Sequence, residues 1–487
     1  MRISELFLGT PVLPPEEEFD VVGLTHDSRR VSPGDLFVAL EGEKFDGREF
    51  AIEARQRGAV GVVGRGERPD GLDGPWFSVA EPRRWLGPLA ARVYGHPDRQ
   101  LTMVGVTGTD GKTTVVNVLR AVFEAAGRSC ASLGTLGFRL GEEQVAGART
   151  TPEASDLFST LRRALDHGAD AVVMEVSSHA LELHRVNGLD FDLALFTNLT
   201  RDHLDFHRDL EEYFSSKRKL FSQLKSGGRC VVNVDDEYGR RLAAELGTPV
   251  TYGATGDVRV RGAELTESEI VAQLETPRGT LELRSALLGR YNLENLLAVV
   301  AVAEALELPR QAIIDGIADC QPITGRMESI DVGQPFPVFI DYAHTHRALA
   351  AALSSLAEFS GRRIALVFGC GGDRDSGKRE LMGRIAGEGA DLAILTSDNP
   401  RTEDPAAIIE EVESGLLESG AEGYLVIPDR SQAIGRAVAH ADGEWAVLVA
   451  GKGHEEMQIL GERRVPFSDR DEIVRALEER FGRRNAG

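Results

Sequence analysis

The chain is poor in cysteine, short of positive charge and without a long apolar run, and each shortage removes a class of function. Cys130, Cys230, Cys320 and Cys370 are the only cysteines in 487 residues. They lie far apart with no paired metal-ligand spacing, so neither the disulfide framework of a secreted domain nor a cysteine-held metal is expected. A reducing cytoplasm is the expected compartment. Lys and Arg number 55 against 77 Asp and Glu, a formal net charge of −22. No basic stripe carries interleaved aromatic residues, so nucleic acid is not an expected partner, and the surplus acid reads as a solvated surface. No uninterrupted apolar stretch could span a bilayer, and the opening "MRISELFLGTPVLPPEEE" has neither a long apolar core nor a small-residue cleavage site. No membrane insertion and no targeting segment are expected.

What the chain does have is enough apolar content, 42%, to bury a large core, which at this length divides into about three domains. Two polar, proline-containing stretches, "YGHPDRQ" (94–100) and "DVGQPFP" (331–337), mark the seams. Between them "LTMVGV", "DAVVMEV" and "DLALFTN" alternate with helical patterns, and after the second seam "RRIALVFG", "ADLAILTS" and "EWAVLVAG" repeat the habit. Strand-helix-strand units of this kind predict an α/β chain with parallel sheets, whose ligands bind at the loops that follow the strands.

The strongest local signal is "VGVTGTDGKTT": a strand ending at Val106 runs into Gly108, Thr109, Asp110, Gly111, Lys112, Thr113 and Thr114, then a helical pattern. Glycines let backbone N–H groups close around phosphate oxygens, the helix start adds positive potential, Lys112 meets outer phosphates and Thr113 suits Mg²⁺. A glycine turn capping a helix is the other reading. Two further strand ends present Glu175 with Ser177 and Ser178, and His203 between Asp202 and Asp205. Glu175 suits Mg²⁺, whereas His203 taken alone reads as a hydrogen-bonded structural histidine. Lys217 of "EEYFSSKRKLF" sits on an amphipathic helix whose default reading is a solvated basic face. The loop "ILTSDNPRTEDP" (394–405) sets acid, amide, proline and base side by side, as a ligand of both charges would require, or else it is a helix-starting turn with a surface arginine.

Taken in order, TGTDGKTT, EVSSHAL, TRDHLDFH, YNLENLLA, GRME, DYAHT, FGCGGDRD, DNPR and GKGHE resemble the motif series of the Mur ligases over nearly the whole chain. The resemblance implies an N-terminal UDP-binding domain (1–98), a central phosphate-loop ATPase (99–330) and a C-terminal Rossmann-like domain (331–487) that receives an amino acid. It is strongest toward members that add the third residue of the peptidoglycan stem peptide. The implied substrates are UDP-N-acetylmuramoyl-L-alanyl-D-glutamate, meso-2,6-diaminopimelate and ATP, with Mg²⁺, and a monomer is expected. An L-lysine-adding homologue and a folylpolyglutamate synthetase are the alternatives.

Residue by residue, the resemblance places Ser28 on the uridine nucleotide with the Glu43 to Phe45 stretch nearby, and Thr150, Thr151, Ser177 and Arg185 on the muramoyl dipeptide. From the residues alone, a polar turn before a strand and ordinary capping and surface roles would serve as well. Asn295 would meet adenine, Arg326 and Asp341 the ribose and phosphates, and Thr113, Glu175, His203 and Lys217 the metal, with Lys217 carrying a CO₂-derived carbamate. Lys112, Glu175, His203 and Lys217 are thus the implied catalytic set. Asp398, Asn399, Pro400 and Arg401, with Arg374, Gly451 and Glu455, would hold meso-diaminopimelate. One departure bears on loop geometry: where the family continues DYAHT with Pro-Asp, this chain has His346 and Arg347.

Overall fold

A computed structural model describes residues 1–10, 12, 17–42, 45–147 and 149–482. Strands alternate with helices and most strand pairs are parallel, the expected α/β class. The chain packs as two units: Met1–Thr107 with Phe123–Phe196 and Ser215–Val231, and Gly108–Val122 with Thr197–Phe214 and Val232–Gly487. Among the described residues no helix is long and apolar enough to cross a membrane.

The first unit opens with a four-stranded parallel sheet, β1 (Gly23–Thr25), β2 (Asp35–Val38), β3 (Gly61–Gly64) and β4 (Trp76–Ser78), paired in that order. Phe37, Ala51, Ala54 and Val62 pack behind it. Its larger sheet uses β5 (Thr102–Thr107), β6 (Cys130–Gly134), β7 (Gly137–Leu140), β8 (Glu143–Val145), β9 (Ala171–Glu175), β10 (Phe191–Phe196) and β11 (Leu224–Asn233), in the order β11-β10-β5-β9-β6-β7-β8. Met103, Val104, Val172, Val173, Leu193 and Leu195 are fully buried, which is why these strands read as continuous apolar runs rather than alternating ones. Strands β10, β5 and β9 are parallel neighbours, with Phe196 beside Thr107 and Val106 beside Glu175. Their carboxyl ends therefore lie along one sheet edge, the edge where such sheets hold ligands. The sheet is not wholly parallel: β6, β7 and β8 form an antiparallel extension joined by tight turns.

In the second unit a short strand, β12 (Val250–Tyr252), precedes an antiparallel meander of β13 (Arg259–Leu265), β14 (Ile270–Thr276) and β15 (Gly279–Ser285). In β14 and β15 the buried residues alternate, Ile270, Ala272 and Leu274 with Leu281 and Leu283, as expected of strands with one covered face. The unit's main sheet comprises β16 (Glu328–Ser329), β17 (Val338–Asp341), β18 (Arg363–Phe368), β19 (Leu392–Leu395), β20 (Tyr424–Val426) and β21 (Trp445–Ala450), in the order β16-β17-β21-β18-β19-β20. All pairs are parallel except β16 with β17. Leu366 and Phe368 face one apolar cluster with Leu349, Met382 and Val412; Ala365 and Val367 face another with Ile434, Val438 and Ile473. Helices thus cover both faces, and β17, β21, β18 and β19 present four adjacent carboxyl ends at Asp341, Ala450, Phe368 and Leu395. A hairpin, β22 (Met457–Leu460) with β23 (Arg463–Pro466), follows the last of these loops.

Candidate active site

The glycine-rich loop after β5 is shaped by positions where no side chain fits. Gly108 has φ +147° and Gly111 φ +86°; a Cβ would stand 1.8 Å from Thr197 Oγ1 at the first and 2.3 Å from Asn295 Oδ1 at the second. The loop is stitched to its neighbour, since Asn198 O accepts the Thr109 N–H at 2.9 Å, Asn198 Oδ1 accepts the Asp110 N–H at 2.9 Å, and Thr197 Oγ1 donates to Asp110 O at 2.7 Å. Lys112 Nζ curls back onto Gly108 O (2.9 Å) and Thr109 O (2.8 Å), at the start of the helix Lys112–Ala125. The N-terminal amides of that helix face the loop, the arrangement that binds anions.

Distant segments reach the same loop. Arg326 Nη2 donates to Thr113 Oγ1 at 3.1 Å, its guanidinium lies 4.8 Å over the Tyr342 ring, and its buried Nε has no protein partner. An unsatisfied guanidinium N–H beside a glycine cradle fits a phosphate or ribose oxygen. Asp341, at the end of β17, accepts from Tyr291 Oη (2.9 Å) and the Met327 N–H (2.7 Å), and burial pushes its pKa up. Asn295 lies on the helix Arg290–Ala305, where Nδ2 donates to Asn292 Oδ1 at 3.1 Å and Oδ1 abuts Gly111. Thr114, next to Thr113, is buried. Where His346 and Arg347 replace the family's Pro-Asp, Thr345 caps the helix His346–Ser360 by accepting the Ala348 N–H at 3.1 Å, and Arg347 Nη1 stands 3.7 Å from Asp236 Oδ2.

His203 is held with φ +58°, its own N–H on Asp202 Oδ1 at 2.9 Å and its Nε2 3.4 Å from Asp202 Oδ2. Burial would raise Asp202, yet His203, Lys378 and His344 hold its carboxyl well below the usual range. His344 Nε2 is 3.8 Å from the same carboxylate, so Asp202 ties the His203 loop to the segment after β17.

In the first unit Glu175, 1% exposed, accepts from the Thr135 N–H (2.8 Å) and Thr135 Oγ1 (3.2 Å). Thr135 Oγ1 also meets Thr150 Oγ1 at 3.1 Å, while Thr151 Oγ1 donates to Glu175 O at 2.9 Å and lies 3.4 Å from Ser177 Oγ. Thr135 thus links Thr150 to the Glu175 carboxylate, while Thr151 joins the Glu175 main chain to Ser177, which also caps a helix through the Ala180 N–H. Arg185 donates through Nε to Glu153 Oε1 at 3.0 Å, and burial lowers its pKa. Ser28, 7% exposed, donates to Glu53 Oε2 at 3.1 Å. Phe45 is exposed; Glu43 and Lys44 lie outside the described residues.

The solvated-face reading of Lys217 does not hold. Tyr213, Ser216, Lys217 and Leu220 are all buried, and Lys217 is 1% exposed, because helical periodicity lines it up with the aromatic and aliphatic positions. Arg218 and Ser215 take the outer face.

The loops after β18, β19 and β21 meet. Asn399 Nδ2 donates to Glu455 Oε2 at 2.7 Å; the Asn399 N–H bonds Asp398 Oδ1 at 2.6 Å; and Gln458 Nε2 bonds Asp398 O at 2.7 Å. Arg401 has φ +52°, a conformation that costs about 1–2 kcal/mol for a residue with a Cβ. It is held by its N–H on Ile459 O (3.1 Å), by Gly461 N–H on its own O (2.7 Å), and by Nη1 on Gly372 O (2.6 Å) and Asn399 O (3.4 Å). It is half-buried; the stretch does lead into a helix, which begins at Pro405 and is capped by Asp404, but its arginine is not on the surface. A Cβ on Gly451, φ +112°, would come within 2.8 Å of Asp398 Oδ2, and Pro400 is buried. Arg374 stands on the exposed rim, with Nη1 on Asp373 O at 2.9 Å.

Three family descriptions tile the chain: "Mur ligase family, catalytic domain" over 20–94, "Mur ligase middle domain" over 106–303 and "Mur ligase, glutamate ligase domain" over 325–453. The chain is 45% identical over 509 aligned positions to a Geobacter metallireducens protein named UDP-N-acetylmuramoyl-L-alanyl-D-glutamate–2,6-diaminopimelate ligase, spanning 98% of this chain and 99% of that one. The chain belongs to the Mur ligase family. A Geobacter sulfurreducens protein of the same name is 44% identical over 94% of each chain. A solved structure of a ligase so named aligns over 99% of both chains at 32% identity, with a TM-score of 0.69.

Within this Mur ligase, some site residues carry no motif and escaped the sequence reading. Glu153, 4% exposed, receives Arg83 (2.9 Å), Arg149 (3.1 Å) and Arg185 (3.0 Å), so one carboxylate faces three guanidiniums beside Thr151. The surplus positive charge suits an anionic substrate. Arg149 and Glu153 flank the quoted threonines and were findable as an i,i+4 pair; Arg83 comes from a remote helix and was not.

Proposed function

We propose that the chain is the ATP-dependent ligase that joins meso-2,6-diaminopimelate to UDP-N-acetylmuramoyl-L-alanyl-D-glutamate in cytoplasmic peptidoglycan precursor synthesis. The observation that carries this is the full-length likeness to ligases so named, at 38–45% identity. It favours this reading over the L-lysine-adding homologue and the folylpolyglutamate synthetase.

The chemistry runs in two steps. The glutamate side-chain carboxylate attacks the γ-phosphorus of ATP, ADP leaves, and an acyl phosphate forms; the amine then attacks the acyl carbon, loses a proton, and phosphate leaves. Residues 1–98 bind the uridine end through Ser28, residues 99–330 hold ATP, and residues 331–487 deliver the amino acid. Amides of Gly108 to Thr114, with Lys112, cradle the phosphates; Asn295 reads adenine, and Arg326 and Asp341 orient the ribose and phosphates. Thr150, Thr151, Ser177 and Arg185 fix the dipeptide so that its carboxylate is in line, and such positioning supplies much of the rate. Thr113, Glu175, His203 and a carbamylated Lys217 would hold Mg²⁺, a mostly hard-oxygen set. Magnesium supplies charge neutralisation on the transferring phosphoryl oxygens.

The pocket for the amino acid explains the mixed-sign loop. Both Arg401 side-chain bonds leave from Nη1, which keeps Nη2 and Nε for a ligand carboxylate, while Asn399 and Glu455 suit the neighbouring ammonium. L-Lysine lacks the distal carboxylate and would leave a half-buried guanidinium unpaired, a penalty of roughly 1–3 kcal/mol. Phosphate release from purified protein with ATP, the UDP-dipeptide and a panel of amino acids tests the reading: meso-diaminopimelate should exceed L-lysine by more than about tenfold in kcat/KM. Equal use of the two would overturn it. Arg401→Ala should raise KM for meso-diaminopimelate by about tenfold or more and change KM for ATP by less than about twofold; parallel rises in both would remove Arg401 from the pocket.

A further inference from the structure

Lys452 has no part in the scheme above, yet its side chain is wholly buried. Its Nζ donates to Met457 O at 2.7 Å, Glu455 Oε2 at 3.1 Å and Asn399 Oδ1 at 3.4 Å. Asn399 Nδ2 donates to the same Glu455 oxygen at 2.7 Å, and the Ile459 N–H fixes Asn399 Oδ1 at 2.9 Å. Two donors thus hold Oε2 of a carboxylate that is 30% exposed.

A second buried cation lies in the same unit. Arg430, 0% exposed, grips Asp469 through Nε and Nη2, both at 2.7 Å, and donates to Ala450 O, the residue before Gly451, at 2.9 Å. Burial pulls this guanidinium's pKa down, but Asp469 outweighs that, with Asp398 and Glu455 adding to the pull upward. Burial and Arg374 pull the Arg401 guanidinium's pKa down, against Asp398 and Glu455, which pull it up. His454 is pushed down to about 4 by burial and so is neutral near pH 7. Among the buried and half-buried groups, three carboxylates, Asp398, Glu455 and Asp469, therefore stand against three cations, Arg401, Arg430 and Lys452, while on the exposed rim Arg374 is offset by Asp373.

We propose that Lys452 is a specificity-determining positioning residue: it completes the charge balance of the pocket floor, which then favours an amino acid whose distal end is itself neutral, ammonium and carboxylate together, over one that ends in ammonium alone. This rests on the reading of the Asp398 to Arg401 loop and Glu455 as the amino-acid pocket. A net charge brought onto a neutral, half-buried floor loses hydration without a matching partner, whereas a zwitterionic end loses none of its own balance. Without Lys452 the floor carries one surplus negative charge and should turn toward the cationic end.

The test is the ratio of kcat/KM for meso-diaminopimelate to that for L-lysine, read by phosphate release with saturating ATP and UDP-dipeptide. Lys452→Met should lower this ratio by about tenfold or more, and Lys452→Met with Glu455→Gln, which restores neutrality, should bring it back toward the wild-type value. Glu455→Gln alone should raise it. Equal losses for both amino acids in Lys452→Met, with the ratio unchanged, would make Lys452 merely structural and overturn the proposal. If thermal unfolding shows that Lys452→Met does not fold, Glu455→Gln decides alone: an unchanged or lowered ratio overturns the proposal. A wild type without preference for meso-diaminopimelate would instead overturn the functional reading on which this one rests.

Discussion

Lys217→Ala is expected to lose turnover by about 10²–10³-fold or more and to regain part of it when a short carboxylic acid is added. The reason is the burial of this side chain at 1% exposure on the helix Leu210–Arg218, where Tyr213, Phe214 and Ser216 are buried as well. An ammonium is costly to bury, and it cannot bind a cation. Its neutral amine can add CO₂: nitrogen bonds to carbon, a proton leaves to solvent, and the side chain becomes an anion with two hard oxygens suited to Mg²⁺. A short carboxylate diffusing into the space left by alanine would replace those oxygens. Carbon-13 NMR on enzyme equilibrated with labelled CO₂ reads the carbamate directly. An active, metal-loaded enzyme with an unmodified Lys217 would falsify the assignment.

Glu175→Gln should cost about 10²-fold or more in turnover while lowering stability by only about 1 kcal/mol. The amide is nearly isosteric, and Gln can still accept the Thr135 N–H with its oxygen while its nitrogen donates to Thr135 Oγ1, the two atoms that now bond Glu175 at 2.8 and 3.2 Å. What disappears is the negative charge that a magnesium ion needs and that no hydrogen bond replaces. Binding of the UDP-dipeptide should change little, because Thr150, Thr151 and Ser177 keep their hydroxyls. A large fall in thermal midpoint with a proportionate fall in turnover would return Glu175 to the core.

The parts of this molecule legible from sequence were those where a strand's apolar run ends in a motif. β5, β9, β10, β18, β19 and β21 are buried on both faces, so their runs are continuous, and their loops carry the motifs. The antiparallel pieces were harder: β8 and β13 bury no side chain fully, and the alternation of β14 and β15 looks like ordinary polar sequence unless period two is sought. Charged residues misled most. Lys217 looked like solvent-facing charge because composition outweighed helical phase, and Lys452 gave no sign of burial. The Arg83 contact to Glu153 spans 70 positions and has no local signature at all.

The order of strands in the second unit also governs how its pocket comes into being. The residues proposed to receive the amino acid follow β18, β19 and β21, and from Arg374 to Glu455 they are drawn from distant parts of the chain. Because β21 inserts between β17 and β18, the last strand of this sheet to be synthesised is a central one, and the two flanks cannot join before it arrives. Such non-local pairing is slow to form, so affinity for the amino acid should appear abruptly, as one cooperative event late in folding, rather than accumulate strand by strand.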